Sequence, residues 1–312
     1  MGVDTPSPRP ACAVVGPLLY LTVTIEQEDG SSRVHLHPGG QGFWIARMIT
    51  ALGCQARLVS PIGGEAGDVL AALLPSWQVE LRALRTSITS PTQVHDRRSG
   101  ERVEIVEVEH PALDRHEAND LYAIALETAL TSHALVLTAA ATSLLDADSY
   151  RRLLSDVGAQ GVPVFADLHG EPLDAVLDGG RLDLLKVSED DLREDGWSMG
   201  SEAQAVAAAR ELVSRGVETV VVSRGNGPAI AASAGQVMRV VPPALEEVDH
   251  RGAGDSMTAG MVVGRLIGLS PIAAVALGAA AGAANVTRHG LGSGRPELIA
   301  ELAGRVVLEE VR

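Results

Sequence analysis

Strand-like and helix-like hydrophobic patterns alternate along most of this chain of 312 residues. Short, continuous apolar runs are typical of buried strands, whereas apolar residues that recur every three or four positions are typical of helices. From residue 116 onwards the alternation is strict. The predicted helices are 116–131, 146–157 and 201–215, and the predicted strands are 134–138, 162–166, 182–187 and 218–223. This order predicts an α/β fold with a central, mostly parallel sheet covered by helices on both faces.

Two polar hairpins, at about 20–37 and 92–109, interrupt this alternation. Their turns are indicated by Asp29-Gly30 and Ser99-Gly100. They could form a small β lid at the edge of the sheet, or they could be ordinary surface hairpins. The polar, proline-rich start at 1–10 predicts disorder, which leaves 11–312 as the folded domain.

The composition argues against several classes of protein. A formal net charge of −15 is unfavourable for nucleic-acid binding, which requires basic surfaces. No apolar run approaches the roughly 18–20 residues that span a membrane. The N-terminus lacks the apolar segment of a signal peptide, and Cys12 and Cys54 are too few for a disulfide scaffold. We therefore expect a cytoplasmic protein that binds neither nucleic acid nor membranes.

The segment 249–260, Asp-His-Arg-Gly-Ala-Gly-Asp-Ser-Met-Thr-Ala-Gly, carries the most specific chemistry. Gly252, Ala253 and Gly254 precede an apolar helical pattern, and both the backbone N–H groups and the helix dipole at such a point favour an anion. Asp255 would repel a phosphate there unless it accepts a proton from an attacking hydroxyl. The segment therefore predicts phosphoryl transfer, with an ordinary acidic residue in a first helical turn as the alternative.

Two other phosphate-binding motifs do not fit. Met257 stands where a dinucleotide-binding fingerprint has its third glycine. Lys186 is the single lysine of the sequence, and it lacks the glycine-rich lead-in of a Walker loop.

The segment 249–255 resembles the signature Asp-Thr-x-Gly-Ala-Gly-Asp of the ribokinase/PfkB carbohydrate kinase family, with His250 in place of threonine. The segment 37–48, with Leu52-Gly53 after it, is similar to the family's N-terminal motif Gly-Gly-Lys-Gly-x-Asn-x-Ala-Arg. Two motifs in the right order are more specific than one. The resemblance covers nearly the whole chain and is closest to the fructose-1-phosphate kinase and tagatose-6-phosphate kinase branch. It implies a ribokinase-like fold with a lid, ATP and Mg²⁺, a small-molecule acceptor and a homodimer formed through the lid.

By this resemblance, Asp255 is the general base, and the amides of Gly252, Ala253, Gly254 and Asp255 hold the transferred phosphoryl group. The segment 186–191 is similar to the family's Lys-Pro-Asn-x-x-Glu motif. It implies that Lys186 and Ser188 bind the nucleotide phosphates and that Asp191, with Glu189, helps to place Mg²⁺, largely through water. The alternative from the residues alone is a helix N-cap at Ser188 followed by an acidic first turn, and both could hold at once.

The segment 223–227 follows an apolar strand and resembles the family's nucleotide loop, Ser-x-Gly-x-x-Gly, with Pro228 in place of the last glycine. The implied nucleotide-binding residues are Ser223, Arg224, Gly225 and Gly227. Arg224 could pair with ATP phosphates, whereas the alternative is a plain β-turn. Asn285, with 288–290 after it, is implied to contact the adenosine, although tight helix packing explains this small-residue region about as well.

The acceptor side departs from the family. Gly39 and Gly40 are kept and should let the chain approach a sugar closely, but Gln41, Trp44, Tyr20 and Gln93 replace the family's lysine, asparagine, aspartate and arginine. We expect these residues to bind an unusual acceptor: a sugar, a sugar phosphate or a related molecule stacked on Trp44 or Tyr20. The alternatives are a catalytically weak nucleotide- or metabolite-binding protein of the same fold, or a nucleoside kinase.

Overall fold

The computed structural model describes residues 9–108, 112–138, 144–225, 227–246, 248–287 and 292–311. These ranges contain fourteen strands and ten α-helices. In chain order they are β1 (Ala11–Val15), β2 (Tyr20–Glu28), β3 (Ser31–Gly39), α1 (Gln41–Ala51), β4 (Gln55–Ile62), α2 (Gly64–Leu73), β5 (Glu80–Arg85), β6 (Thr92–Asp96), β7 (Val103–Val108), α3 (Arg115–Leu130), β8 (Ala134–Thr138), α4 (Ala147–Gly158), β9 (Val164–Asp167), α5 (Gly170–Gly179), β10 (Leu184–Ser188), α6 (Glu189–Glu194), α7 (Glu202–Ser214), β11 (Thr219–Arg224), β12 (Gly227–Ser233), β13 (Gln236–Val241), α8 (Ala253–Leu266), α9 (Pro271–Val286), α10 (Pro296–Ala303) and β14 (Val307–Glu310). A 3₁₀ helix spans Leu74–Trp77.

The large sheet has ten strands in the order β14-β13-β12-β11-β10-β9-β8-β1-β4-β5. The seven strands from β11 to β5 are parallel, and β12, β13 and β14 add an antiparallel edge. Every residue of β1, β8 and β9 is buried, as expected of parallel strands that are covered on both faces. The predicted α/β architecture is therefore confirmed.

Two apolar cores cover the two faces of this sheet. Cys12 and Val14 of β1 belong to one core, with residues of α1, α2, α8, α9 and α10. Ala13 and Val15 belong to the other, with residues of α3, α4, α5 and α7. The alternation follows from the two-residue period of a strand. None of the described helices combines the length and the hydrophobicity that a membrane span requires.

The two interrupting hairpins join in a separate sheet of four strands, in the order β3-β2-β6-β7, which we call the lid. Each hairpin is antiparallel, and β2 pairs with β6 in parallel. Residue 109, at the predicted end of the second hairpin, lies outside the described residues. So do 1–8 of the N-terminal segment, whereas the carbonyl of Pro10 already accepts a hydrogen bond from the amide of Gln55 at 2.8 Å.

Helices α8 and α9 pack against each other through small residues. A Cβ added to Gly260 would lie 2.8 Å from the Cα of Gly278, and one added to Gly278 would lie 2.4 Å from Cγ of Met261. Real Cβ atoms do not approach other atoms so closely, so glycine allows the close approach of the two helices. The segment 249–255 precedes and begins α8, and its position therefore depends on this packing.

Candidate active site

The predicted anion cradle lies at the N-terminus of a helix. Gly252 is the N-cap of α8, and Asp255 lies in its first turn. The amides of Gly254 and Asp255 belong to this turn, where helix geometry leaves N–H groups without acceptors inside the helix. The structure thus brings the predicted base and the predicted amides together at one point, and the helix dipole there favours an anion.

Asp255 is partly buried and lines a cavity that reaches into the lid. Burial raises the pKa of Asp255 to about 7, with a further increase from the nearby charges of Asp167 and Asp191 and an opposing decrease from Lys186. A carboxyl group with such a pKa can accept a proton at neutral pH and release it again. This is the property that a general base requires.

Lys186 is held beside this carboxylate by a residue that the sequence did not single out. Asp167 ends β9, directly opposite Lys186 in the neighbouring strand. Its Oδ1 lies 3.2 Å from the ammonium Nζ, and its Oδ2 accepts a hydrogen bond from Thr258 at 2.6 Å. Burial lowers the pKa of Lys186, but the charges of Asp167, Asp255 and Asp191 outweigh burial and raise it overall. Lys186 is therefore protonated at neutral pH.

The Lys186 ammonium also reaches the start of α8. A Cβ added to Gly254 would lie 2.9 Å from Nζ, so a larger residue there would push the ammonium away. The absence of a side chain at Gly254 lets one positive charge and the helix N-terminus act on the same space. Both groups favour an anion in this space, and most strongly one whose charge increases during a reaction.

The predicted nucleotide-binding residues lie at the carboxyl ends of neighbouring strands. β10 ends at Ser188 and β11 at Arg224, and Ser188 pairs in register with Ser223. Open α/β sheets bind their ligands at this edge. The segment around Gly225 and Gly227 turns the chain into antiparallel β12, so the local geometry is also that of a tight turn between strands.

Arg224 and Glu189 already bind each other. Nε of Arg224 lies 3.3 Å from the carboxylate of Glu189, and Nη1 lies 3.4 Å from that of Glu202. A contact of Arg224 with a phosphate, or of Glu189 with a metal ion, would require this ion pair to open. Both contacts stay predictions.

Ser188 and Asp191 form a capping box at the start of α6. The Ser188 hydroxyl accepts a hydrogen bond from the amide of Asp191, and the Asp191 carboxylate accepts one from the amide of Ser188, each at 2.9 Å. This is the N-cap that the residues alone indicated. It also fixes the Asp191 carboxylate near the active site, where its charge raises the pKa of both Lys186 and Asp255.

Asn285 lies behind the loop that leads into α8. It is only 1% exposed, and its Nδ2 donates a hydrogen bond to the carbonyl oxygen of Arg251 at 2.7 Å. The structure therefore shows it holding this loop, and its contact with adenosine stays a prediction. Two segments of the predicted nucleotide region, 226 and 288–290, lie outside the described residues.

A cavity of about 710 Å³ extends from Asp255 into the lid. Four of the predicted acceptor residues line it: Tyr20, Gln41, Trp44 and Gln93. Gly39 lies under Tyr20, since an added Cβ would be 2.1 Å from the Tyr20 ring. A Cβ added to Gly40 would lie 2.2 Å from the carbonyl oxygen of Leu18. The two glycines therefore allow the Tyr20 ring and the backbone of Leu18 to pack closely against residues 39–40.

No role was assigned from the sequence to most of the charged residues that line this cavity, which come from the lid, from α1 and from the loop before α8. The missed residues are Glu26, His35, His37, Arg47, His95, Arg97, Arg102, Asp249 and Arg251. In the lid, Gln93 and His95 lie two residues apart on β6 and so face the same side, and Arg97 follows directly after the strand. The sequence shows this period, but it does not show which face of the strand lines the cavity.

Among the described residues, one group of three possible metal-binding side chains lies close together: Glu26, Glu28 and His35 of the lid, with ligand atoms within 4.8 Å of one another. Arg33 lies 3.1 Å from the carboxylate of Glu28, and Arg97 lies 3.8 Å from that of Glu26. These arginines balance the two carboxylates, and we assign no metal to the group.

Comparison with known protein families matches residues 12–298 to the pfkB family carbohydrate kinases. The chain belongs to this family. ATP-dependent 6-phosphofructokinase isozyme 2 of Mycobacterium tuberculosis is 30% identical over 296 residues, which cover 92% of this chain and 86% of that protein. 1-Phosphofructokinase of Xanthomonas campestris is 27% identical over 244 residues, or 76% of each chain. Phosphofructokinase-2 of Escherichia coli in complex with fructose-6-phosphate matches with a TM-score of 0.78 and 26% identity, covering 95% of this chain and 98% of that one.

This pfkB protein is therefore an ATP-dependent sugar kinase with a ribokinase-like fold. The predictions of the family, the fold and the general activity are confirmed. The roles of the individual site residues rest on the geometry described above.

Proposed function

We propose that this pfkB protein transfers the γ-phosphoryl group of ATP to a hydroxyl of a sugar or sugar phosphate bound in the cavity beside Asp255. The observation that carries the proposal is the position of Asp255, which lines the cavity from the first turn of α8 and has its pKa raised to about 7. A carboxylate at this point can take the proton of a hydroxyl as the hydroxyl oxygen attacks phosphorus.

Two groups would stabilise the charge on the transferred phosphoryl group. The first is the set of amides at Gly252, Ala253, Gly254 and Asp255, which benefits from the helix dipole. The second is the Lys186 ammonium, which can lie next to the first turn of α8 because Gly254 has no side chain. Since these groups are fixed before the substrates bind, they need no rearrangement during the reaction.

ATP would bind along the carboxyl ends of β10 and β11, with Lys186, Ser188, Ser223, Arg224, Gly225 and Gly227 as its phosphate contacts, and Asn285 near its adenosine. Asp191 and Glu189 would hold Mg²⁺, largely through water. The surroundings fit a cation because, among the described residues, the carboxylates of Asp167, Asp191 and Asp255 lie around the single ammonium of Lys186. When bound, Mg²⁺ neutralises charge on the nucleotide phosphates.

The acceptor hydroxyl would lie next to Asp255, with Tyr20, Gln41, Trp44 and Gln93 around the rest of the molecule and Gly39 and Gly40 beneath Tyr20. Oε1 of Gln41 is buried and has no hydrogen-bond partner among the described residues. A buried amide oxygen without a donor costs free energy. A donor from a bound acceptor would remove this cost.

The lid is also the proposed site of a homodimer. One of its faces covers the cavity, and apolar side chains are exposed on its outer strands: Val34, Leu36, Val103, Ile105, Val106 and Val108. Apolar patches of this kind are typical of protein interfaces. We also propose a cytoplasmic location, which is supported by the free thiols of Cys12 and Cys54.

The test of the proposed reaction is Asp255→Asn. We expect kcat to fall by at least ~10²-fold, because a positioned base is lost while size and shape are kept. The melting temperature and the binding of an ATP analogue should be little changed. Asp190→Asn is the matched control, since Asp190 is exposed and only pairs with Arg193. Near-normal turnover by Asp255→Asn would remove Asp255 from the mechanism.

A further inference from the structure

A buried threonine of α8 lies one helical turn after the predicted anion cradle. Thr258 is fully buried and follows Gly254 by four residues, so the two lie on the same face of the helix. A threonine inside a helix commonly donates its hydroxyl to the carbonyl four residues before it. Thr128 in α3 does so, with the carbonyl of Ile124 at 2.7 Å. The hydroxyl of Thr258 instead donates to Oδ2 of Asp167 in β9, at 2.6 Å.

This hydrogen bond fixes the orientation of the Asp167 carboxylate. The carboxylate of an aspartate takes a broad range of orientations about its last side-chain bond unless its oxygens are bound. Because Thr258 binds Oδ2, the direction of Oδ1 is set as well. Oδ1 lies 3.2 Å from Nζ of Lys186. Asp167 is only 3% exposed and Lys186 only 6%, so both buried charges depend on these partners.

The contacts close a ring that returns to the first turn of α8. The helix leads from Gly254 to Thr258, and the hydroxyl of Thr258 binds Asp167. Asp167 in turn binds Lys186. The Lys186 ammonium lies against Gly254, since a Cβ added there would be 2.9 Å from Nζ. An ammonium has three donors on a flexible stem, and the contact with Asp167 uses one of them. The others can bind an anion at the first turn of α8.

From this ring of contacts, and on the basis of the kinase reaction proposed above, we propose that Thr258 is a positioning residue for phosphoryl transfer. Its hydroxyl holds the Asp167 carboxylate in the orientation that keeps the Lys186 ammonium next to Gly254. There the ammonium binds an oxygen of the transferred phosphoryl group, whose charge increases as the acceptor attacks. Thr258 is fully buried and acts only through its neighbours. A displacement of about 1 Å in such a site can lower the rate by about 10²-fold.

The test removes the hydroxyl and then restores it. Thr258→Val keeps the shape of the side chain without the donor, and Thr258→Ser keeps the donor. Thr128→Val is the matched control, because Thr128 is also a buried helical threonine but binds a carbonyl of its own helix. ADP formation is measured from pH 5 to 9 with saturating fructose 6-phosphate, fructose 1-phosphate or fructose.

For Thr258→Val we expect kcat to fall at least ~10-fold, as for the loss of a hydrogen bond to a charged group, and KM for the acceptor to stay unchanged. The acidic limb of the pH–kcat profile should move to higher pH, because the Lys186 charge that lowers the pKa of Asp255 is then farther away. Thr258→Ser should recover most of kcat and restore the limb. Thr128→Val should change only the melting temperature.

A binding measurement tests the same role without turnover. Calorimetry compares the Kd of a non-hydrolysable ATP analogue with that of ADP, each with Mg²⁺. Because Lys186 binds the phosphoryl group that only the analogue carries, Thr258→Val should raise the Kd of the analogue by about 10-fold and leave that of ADP unchanged. Thr258→Ser and Thr128→Val should change neither. If none of the three acceptors yields ADP, the proposed reaction fails separately, and this measurement decides: an unchanged ratio of the two Kd values in Thr258→Val rejects the role of Thr258.

Three results of the kinetic test would overturn the inference. In the first, Thr258→Val has the kcat and the acidic limb of the wild type. In the second, kcat falls but the limb stays in place, which assigns Thr258 a purely structural role. In the third, Thr258→Ser loses as much activity as Thr258→Val, so that the hydroxyl is not responsible. Thr258→Ala, which removes the same hydroxyl, serves if Thr258→Val does not fold.

Discussion

At the scale of single residues, the pKa of Asp255 depends on burial and on the charges of three neighbouring side chains. Burial and the carboxylates of Asp167 and Asp191 raise the pKa of Asp255, and the Lys186 ammonium limits this increase. A carboxyl whose pKa is higher in the folded state stabilises the fold most below its ordinary pKa of about 4. This stabilisation is lost as the pH rises towards 7, while the ionised base appears over the same range. Ionisation of Asp255 therefore supplies the catalytic base and removes this contribution to stability over the same pH range.

We predict that Lys186→Met moves the acidic limb of the pH–kcat profile to higher pH. The limb should lie near pH 7 in the wild type, where Asp255 ionises, and the loss of the ammonium removes the charge that lowers the pKa of Asp255. Lys186→Arg keeps a positive charge and should leave the limb in place, although kcat falls in both variants. The measurement is kcat at saturating substrates from pH 5 to 9. An unmoved limb in Lys186→Met would mean that another group controls it.

The residues of the site differ in how far the sequence could reveal them. Asp255 and the amides around it lie in one contiguous segment, so a local motif was sufficient. Asp167 was missed because its role arises from lying opposite Lys186 in the neighbouring strand, and one acidic residue at a strand end looks like any other. His95 and Arg102, which line the cavity from the lid, were missed because the pairing of distant segments decides which side of the lid meets the cavity.

At the scale of elements, α9 holds the active-site loop in place. The carbonyl of Val286 accepts hydrogen bonds from the amides of Val248 and Asp249, at 2.7 and 3.1 Å. The side chain of Asn285 binds the carbonyl of Arg251. Since α9 also packs closely on α8, the loop is fixed from both sides, and the first turn that carries Asp255 has little freedom to move.

We predict that Gly278→Ala both destabilises the protein and lowers kcat. The added Cβ would lie 2.4 Å from Cγ of Met261 and 2.6 Å from the carbonyl oxygen of Met257, so the two helices must separate. Overpacking of this kind costs about 1–3 kcal/mol. Gly158→Ala, in α4, is the control, because no atom lies within 4 Å of its added Cβ and the variant should be neutral or slightly more stable. Denaturant unfolding and kcat are measured for both. Equal stability of the two variants would contradict a close α8–α9 contact.

Most elements could be predicted because their apolar pattern is strong. The predicted strand 134–138 coincides with β8, and the predicted helix 116–131 differs from α3 by one residue at each end. By contrast, α5 was not predicted, since it is short, contains Pro172 and Gly179, and buries only three residues. β14 was also missed, because an edge strand with two glutamates gains its structure from pairing with β13 and not from its own pattern.

At the scale of the whole molecule, the lid has one side towards the acceptor cavity and one side towards the proposed dimer contact. Its inner side contributes the buried residues Thr22, Thr24 and His95 to the cavity wall. On its outer strands, several valine residues and Ile105 each have more than 40% of their surface exposed. An exposed β-sheet with apolar side chains is open to association with another chain. Packing of two lids through this outer side would restrict the movement of the strands that form the cavity wall.

We therefore predict that a charged substitution on the outer strands of the lid separates the dimer and weakens acceptor binding together. Ile105→Asp places a carboxylate in the apolar patch, where burial of an unpaired charge is strongly unfavourable. The mass in solution, measured by light scattering, should fall from two chains to one, and KM for the acceptor should rise while KM for ATP is kept. Val307→Asp is the control, since Val307 is 51% exposed on β14, at the other end of the large sheet. A wild-type protein that is already monomeric would exclude the lid dimer. A monomeric Ile105→Asp with an unchanged KM would show that the lid keeps its shape without a partner.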